Sequence, residues 1–282
     1  MPNKLTDDVV SVCPDLKDKI VSATNTLQAG HPGAEIPEKD ILSFALNLEY
    51  LEAEFYTYAS TGKSIVSFGV GIDGVATGAN PQAGGSTVGG SEINFNRNEV
   101  FSKETALEIG EEERAHVNLL RSALGSSAVA KPNINLNALG IGFGSETEFL
   151  TVARLLEDIG VSGYSGAVSL FRTPELVKTA ARLLAAESQH AGGIRLQVAV
   201  LDIATTPLDL ADLIPPPSGK RSQLFSINPA NGLTAIRTAG EVLYLAYGMK
   251  VGATEGGFFP NGLNGNIRTS SAPATALNLY DR

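Results

Sequence analysis

Two pairs of residues in the sequence have the types and the spacing of metal ligands. Glu113 and His116 stand three residues apart in the stretch EEERAH, and Glu187 and His190 stand three apart in AAESQH. Residues three apart share one face of a helix, so each pair can grip a single ion through a carboxylate oxygen and an imidazole nitrogen. Two of the three histidines in the chain follow a glutamate in this way. The pattern predicts a metal site shared by two helices.

A second spacing occurs twice in other parts of the chain. Glu49 and Tyr56 are seven residues apart, and so are Glu157 and Tyr164. Seven residues make nearly two helical turns, so each glutamate shares a face with its tyrosine. The order along the chain is Glu and Tyr, Glu and His, and then the same again. This order indicates an internal duplication of a helix pair, and a glycine-rich insert at 61–96 explains why the first half is longer.

Four long helices must position these residues. Pro37 precedes an acidic first turn, Ser145 opens a capping box with Glu148, and Thr173 and Pro174 supply an N-cap and a first helical residue. The predicted helices cover residues 37–60, 98–124, 145–170 and 173–203. Four helices of this length within one span of the chain predict a four-helix bundle.

The rest of the chain divides around this bundle. The predicted regions are an irregular lead-in at 1–37, the bundle at 38–203 with its insert at 61–96, and a C-terminal extension at 204–282 packed on the bundle. The extension contains one short helix, in AGEVLYLAYG. The insert carries many apolar residues, and from Ser64 to Ser91 its only charge is Asp73. We therefore expect it to pack, either as a lid over an end of its own bundle or against a neighbouring subunit.

Composition excludes several classes of protein. The net charge of −9 argues against sequence-independent binding of nucleic acid, which requires a basic face. No apolar run reaches the length of a membrane span. The single cysteine, Cys13, excludes an internal disulfide and any site built from cysteines. The first residues lack the pattern of a secretory signal, which predicts a cytoplasmic protein as written, or a periplasmic or secreted one if a signal was removed.

The combination of one Glu from each of two helices with Glu-x-x-His from each of the other two is the ligand set of ferritin-like dinuclear carboxylate proteins. The chain resembles that superfamily over 38–203. The stretches LNLEYLEAEFY and GGFFPNGLNG and the long insert are similar to the branch that includes plant desiccation-related proteins. The resemblance implies an all-α, antiparallel four-helix bundle that binds two divalent metal ions, iron or manganese, with zinc also suited to the ligands. The implied ligands are Glu49, Glu113, His116, Glu157, Glu187 and His190.

Several neighbours of these ligands have expected roles. Tyr56 and Tyr164 are expected to donate hydrogen bonds to the bound carboxylates. On the first helix, Glu52 is expected near the site, whereas Glu54 points away from it. Residues expected to take no part in metal binding are the solvated Glu111 and Glu112, the packing residues Tyr50 and Tyr58, and the loop histidine His31.

Three glycines form a stripe on the third helix, namely Gly160, Gly163 and Gly166. One interpretation is a close helix approach or a π-bulge beside the metals, and the other is plain helix packing. The bundle contains no methionine and the chain no Cys-x-x-Cys, so neither a methionine-ligated haem nor a rubredoxin-type electron donor is supported.

Two functions fit these observations. The first is a redox metalloprotein that oxidises Fe(II) with dioxygen or peroxide, or disproportionates peroxide when it holds manganese. The second is a non-catalytic stress protein in which the metals only stabilise the bundle. A bundle without metal fits less well, because all six ligand positions are filled. A dimer or larger homo-oligomer is expected in either case.

Overall fold

Four long helices form the core of the protein. The computed structural model describes residues 36–76, 81–95, 102–210 and 212–275, and those from Pro37 onward belong to one compact unit. The helices are α1 (Glu38–Thr61), α2 (Ser102–Leu124), α3 (Glu146–Val168) and α4 (Pro174–Val200), followed by a shorter α5 (Ala239–Ala246). None of the described helices combines the length and the apolar composition that a membrane span requires. Residues 1–35 of the predicted lead-in, with Cys13 and His31, lie outside the described residues.

Paired side chains show that α1 and α2 run in opposite directions. Arg114 of α2 donates to Thr57 Oγ1 of α1 at 2.8 Å. Arg121, two turns further along α2, donates to the Tyr50 hydroxyl at 2.5 Å. Residue numbers therefore rise along α2 as they fall along α1. Together with the packing of α3 against α4, this arrangement confirms the predicted all-α, antiparallel four-helix bundle.

The first turns of α3 and α4 differ in detail from the predicted caps. Ser145 Oγ accepts from the Glu148 N–H as expected, but the Glu148 carboxylate accepts from the Gly144 N–H instead of completing the capping box. The Thr173 side chain does not cap α4; its hydroxyl donates to Glu38 at the start of α1 at 2.7 Å. The Glu148 contact is local, whereas the Thr173 contact joins the start of α4 to the start of α1, which the sequence alone does not show.

Two short β-pairs lie beside the bundle. β1 (Gly74–Val75) pairs antiparallel with β2 (Pro81–Gln82), with Gly74 opposite Gln82. β3 (Thr87–Val88) pairs in parallel with β4 (Ile134–Asn135), with Thr87 opposite Ile134. The first three strands belong to the insert, and β4 belongs to the connection between α2 and α3. The second pair therefore joins the insert to that connection.

A buried acid of α1 anchors the insert. Glu54 is fully buried, and its Oε1 lies 2.9 Å from Lys131 Nζ. The same oxygen accepts hydrogen bonds from the Ser64 and Thr87 hydroxyls, each at 2.9 Å. Apolar side chains of the insert are also buried, among them Ile65, Val70, Ile93 and Phe95. Glu54 thus points away from the implied ligand Glu49, and its partners come from the same chain.

The C-terminal extension is tied to α3 and α4 by buried charges. Asp158 of α3 lies 2.7 Å from Arg154 Nε and 2.7 Å from Arg195 Nη1 of α4. Arg154 Nη2 in turn contacts both carboxylate oxygens of Asp212, each at 2.5 Å. Each buried charge therefore has opposite charges as partners, which offsets the cost of taking it out of water.

The glycine stripe of α3 allows other groups to approach the helix closely. A Cβ at Gly166 would lie 2.2 Å from the Arg237 carbonyl oxygen, and one at Gly163 would lie 3.4 Å from a Val242 methyl. Arg237 and Val242 belong to the C-terminal extension. The helix is α throughout Glu146–Val168, so the structure shows close approach and no π-bulge.

Candidate metal centre

All six implied ligands are brought together in the middle of the bundle. One helix pair supplies Glu49 from α1 and Glu113 and His116 from α2, and the other supplies Glu157 from α3 and Glu187 and His190 from α4. The four carboxylates are buried. The side chains form two groups whose donor atoms lie within 4.8 Å of one another, and either group can hold a metal ion.

The first group surrounds the inner nitrogen of His116. Its Nδ1 lies 3.3 Å from Glu49 Oε2, 3.4 Å from Glu113 Oε2 and 3.7 Å from Glu187 Oε1. These four donors come from α1, α2 and α4. One imidazole nitrogen with several carboxylate oxygens is a donor set that suits iron, manganese and zinc.

The second group surrounds the inner nitrogen of His190. Its Nδ1 lies 3.0 Å from Glu113 Oε1 and 3.5 Å from Glu157 Oε2. Glu113 therefore belongs to both groups, with one oxygen turned towards each histidine. The rings of His116 and His190 have centroids 6.1 Å apart. A carboxylate shared in this way is suited to bridging two ions.

The hydrogen bonding of these residues tests whether they suit metal ions. Buried polar groups in proteins are almost always hydrogen-bonded, so a cluster of unbonded ones needs an explanation. Here the unbonded buried atoms include Glu49 Oε2, both oxygens of Glu113, Glu157 and Glu187, and Nδ1 of both histidines. All of them are metal-ligand atoms, and they converge on the two groups. The residues present therefore fit a pair of metal ions.

The electrostatics of the site follow from burial and from these short distances. Burial, followed by the charge of Glu113, raises the pKa of Glu49 to about 7. Burial alone would raise the pKa of Glu113 as well, but contacts with His116 and His190 outweigh it and hold that pKa well below its usual range. Burial would lower the pKa of His116, yet the carboxylates of Glu49 and Glu113 raise it to about 11. A metal ion must therefore displace protons from this site.

The two tyrosines lie next to the glutamate of the opposite helix. The Tyr164 hydroxyl of α3 donates to Glu49 Oε1 of α1 in a short hydrogen bond. The Tyr56 hydroxyl of α1 is buried, and after burial the charge of Glu157 on α3 is the strongest influence that raises its pKa. Tyr56 makes no hydrogen bond of good geometry with any described residue. The two tyrosines are therefore not equivalent.

Glu112 makes a contact that the sequence did not reveal. Its side chain is 49% exposed, as expected of a solvated residue, but its Oε2 lies 2.7 Å from His190 Nε2. A carboxylate behind a ligand histidine fixes the orientation and tautomer of the ring and makes its other nitrogen a stronger ligand. Glu112 is solvated as expected, but the sequence did not show this contact, because it joins two helices. Glu111 is exposed, as expected.

Gly160 of α3 makes room for one of the implied ligands, Glu187. A Cβ at this position would lie 2.2 Å from Glu187 Oε2 and 3.4 Å from Glu52 Oε1. The closer distance is far below van der Waals contact, so a side chain at Gly160 would displace the Glu187 carboxylate. Glu52, expected near the site, is buried beside it.

Comparisons with known proteins agree with this geometry. Residues 38–199 match the family model of the ferritin-like domain. The chain is 26% identical over 184 residues to the desiccation-related protein PCC13-62 of Craterostigma plantagineum, covering 58% of this chain and 55% of that relative. It is 23% identical over 283 residues to the ferritin-like catalase Nec2 of Nesocodon mauritianus, covering 83% and 86% of the two chains. The match thus spans about half the length of the first relative and most of the second.

Proposed function

The chain belongs to the ferritin-like domain family, and we propose that its buried Glu and His cluster binds two divalent metal ions and consumes hydrogen peroxide. The observation that carries this proposal is the convergence of unbonded carboxylate oxygens and imidazole nitrogens on two groups that share Glu113. The proposed ligands are Glu49, Glu113, His116, Glu157, Glu187 and His190. Iron and manganese are the proposed metals.

The metal pair, when bound, would supply the electron transfer that turns two molecules of peroxide into two of water and one of dioxygen. The residues of the chain prepare the site for that chemistry. Four ligand carboxylates balance the charge of two divalent ions. Tyr164 holds Glu49 in place, and Glu112 does the same for His190. Burial of the carboxylates limits competing water.

The identity of one relative supports the choice of peroxide. A ferritin-like catalase aligns with most of this chain, although at only 23% identity. The second candidate is a non-catalytic protective protein in which the metals stabilise the bundle. The desiccation-related relative favours this alternative, since its name refers to desiccation and not to a reaction.

Metal analysis followed by a peroxide assay tests the proposal. The full chain is analysed for iron, manganese and zinc after purification without added metal, then loaded with Mn(II) or Fe(II) and supplied with hydrogen peroxide. We expect two ions per chain, peroxide consumption and dioxygen release. Glu113→Gln should lose both metal and activity, because Glu113 serves both groups. Glu111→Gln, a change of the same kind at an exposed position two residues away, should retain both.

The outcomes separate the two candidates. Two bound ions without turnover under either metal would favour the protective protein. A chain that binds no metal, or a Glu113→Gln variant that binds as much as the wild type, would contradict both.

A further inference from the structure

One buried carboxyl group beside the candidate metal centre is absent from the implied ligand set. Glu52 lies one turn after Glu49 on α1 and is only 5% exposed. No hydrogen bond or ion pair joins its side chain to any other residue that the structure describes. Glu54, two residues further on, is also buried, but it lies 2.9 Å from the ammonium group of Lys131. A buried carboxyl group without a partner costs free energy, so its presence calls for an explanation.

The carboxyl group of Glu52 is turned towards the implied ligand Glu187. The position that a Cβ would take at Gly160 lies 2.2 Å from Glu187 Oε2 and 3.4 Å from Glu52 Oε1, so both oxygens approach one point. Glu52 also borders a small cavity between α1 and α3, but polar atoms contribute almost nothing to the wall of that cavity. The cavity therefore meets the hydrocarbon part of the side chain, and the carboxyl group faces the metal centre.

The Glu187 carboxylate connects Glu52 with the first group of donors. Its Oε1 lies 3.7 Å from His116 Nδ1, whereas its Oε2 is the oxygen that approaches the same point as Glu52. Both oxygens of Glu187 are buried and make no hydrogen bond with any described residue. Two neighbouring carboxylates repel each other unless a cation binds to them. The pair therefore extends the first group of donors towards α1.

The charges around Glu52 act in one direction. Burial is the strongest influence that raises the pKa of its carboxyl group, and the charges of Glu187, Glu113 and Glu157 raise it further. Each of these influences opposes the ionised form. A positive charge that binds beside the carboxyl group would offset them, and the metal centre is where such charges are proposed to bind.

We propose that Glu52 is a seventh ligand of the metal centre, whose carboxylate binds the ion of the His116 group beside Glu187. The inference rests on the proposed function and extends its ligand set. Four carboxylates already balance two divalent ions, so a fifth adds one negative charge. That charge favours an ion that has lost an electron. A fifth carboxylate therefore suits metals that change their oxidation state, and a centre that only stabilises the bundle does not need it.

Competition between the full chain and a chelator for Zn(II) tests the ligand. Zinc is redox-inactive, so the result does not depend on turnover. Glu52→Gln keeps the size of the side chain but removes its charge. We expect the dissociation constant of one of the two zinc ions to rise by about tenfold to a hundredfold, at least the loss that follows removal of a group behind a ligand. Glu111→Gln, the same change at an exposed position, is the control with both constants unchanged. Unchanged constants in Glu52→Gln would overturn the inference.

A second variant distinguishes a ligand from a residue that only packs. Glu52→Leu replaces the unpaired acid by an apolar side chain that suits the neighbouring Leu48 and Leu51. Without metal, we expect the melting temperature to rise by about 2–4 °C, because the cost of the buried carboxyl group disappears. The further rise on zinc binding should be smaller than in the wild type, because a ligand is lost. A packing role would instead lower the melting temperature in both conditions, which would contradict the proposal.

Crystals of the zinc-loaded chain show directly whether Glu52 is a ligand. We expect a Glu52 oxygen at about 2.0–2.2 Å from the ion beside His116. A Glu52 carboxyl group beyond bonding distance of that ion, or a separate third ion between Glu52 and Glu187, would overturn the inference. If the manganese-loaded wild type consumes no peroxide, the proposed function fails, whereas the zinc measurements still decide the role of Glu52. A chain that binds no zinc would contradict the inference as well.

Discussion

The two histidines of the candidate metal centre occupy equivalent places in a duplicated helix pair, yet their outer nitrogens meet different surroundings. His190 Nε2 lies 2.7 Å from Glu112, whereas no described residue hydrogen-bonds the Nε2 of His116. The residue of α4 that corresponds to Glu112 in the repeat is Ala186. The repeated pattern therefore contains the implied ligands in both halves but not the carboxylate behind the histidine.

The inner donors differ as well. His116 has four donors in its group, including itself, whereas the group of His190 has three. Tyr164 bonds Glu49 on the His116 side, but Tyr56 makes no comparable bond to Glu157 on the other. The His116 side thus relies on more ligands, and the His190 side relies on a carboxylate behind its imidazole. We therefore expect the two ions to bind with unequal affinity. Substitutions can then affect the binding of one ion or distinguish the two ions from each other.

Among the changes that act on one side, the largest effect is expected at Gly160, which adjoins the implied ligand Glu187 of the His116 side. Gly160→Ala should lower metal content towards one ion per chain, because the new Cβ would lie 2.2 Å from Glu187 Oε2. Helix propensity acts in the opposite direction, since alanine stabilises a helix by about 1 kcal/mol relative to glycine. Metal content after gel filtration measures the effect. Gly163→Ala is the matched control, since its Cβ would lie 3.4 Å from Val242. Two firmly bound ions in Gly160→Ala would show that the Glu187 carboxylate can shift without loss of metal, and would contradict this prediction.

The next largest effect is the dependence of metal binding on pH. In the metal-free site, nearby carboxylates outweigh burial and raise the pKa of His116 to about 11, and they raise the pKa of His190 in the same way. Both imidazoles are therefore protonated at neutral pH, and a metal ion must displace those protons. Metal affinity should then rise with pH, by about tenfold per pH unit for each proton released.

Calorimetry in buffers with different ionisation enthalpies counts the released protons. His116→Ala and His190→Ala should each release fewer protons than the wild type. If binding to the wild type is independent of pH from 6 to 8, the imidazoles are not the groups that the metals displace.

The outer carboxylate of His190 should have a smaller effect that is confined to its own side. Glu112→Ala is expected to lower the binding affinity for one of the two ions by about tenfold to a hundredfold. This is the usual cost of removing a carboxylate behind a ligand histidine. Competition with a chelator measures both dissociation constants. Glu111→Ala is the control. The reciprocal change, Ala186→Glu, should raise the binding affinity for the other ion, because it supplies the carboxylate that is missing behind His116. An equal loss of affinity for both ions in Glu112→Ala would show that Glu112 does not act on the His190 side alone.

The smallest effect concerns the two tyrosines. Tyr164→Phe removes the hydrogen bond to Glu49 and should weaken metal binding on the His116 side by a few-fold, about the net value of one hydrogen bond. Tyr56→Phe should change affinity less, because its hydroxyl makes no well-formed bond to give up. The same chelator competition compares them. A larger loss in Tyr56→Phe would reverse this order.

Helical periodicity explains why much of the site could be predicted. A ligand such as Glu113 and its partner His116 share a face at a spacing of three, and a duplicated order of such pairs identifies four helices that meet. The same reasoning placed Glu52 near the site and turned Glu54 away from it. Periodicity gives the direction of a side chain, but it does not show what covers it. The burial of Glu54 against Lys131 of a distant segment therefore required the structure.

The remaining features depend on contacts between helices. Glu112 looks like an exposed residue of α2 until α4 brings His190 to it. From the sequence, the glycine stripe was compatible with plain packing or with a special role near the metals. Only the position of the Glu187 carboxylate, which occupies the space of a Cβ, shows why residue 160 is a glycine. Likewise, Thr173 is a residue type that commonly caps helices, but its hydroxyl donates a hydrogen bond to Glu38 at the start of α1 instead.

Anomalous diffraction from crystals of the manganese- or iron-loaded chain tests the central claim most directly. Data collected on both sides of the metal absorption edge locate the ions without reference to any assumed ligand. We expect two peaks in the middle of the bundle, one beside Nδ1 of His116 and one beside Nδ1 of His190, with the Glu113 carboxylate between them. A single peak, or peaks that Glu113 does not contact, would contradict a dinuclear centre built from the two duplicated helix pairs.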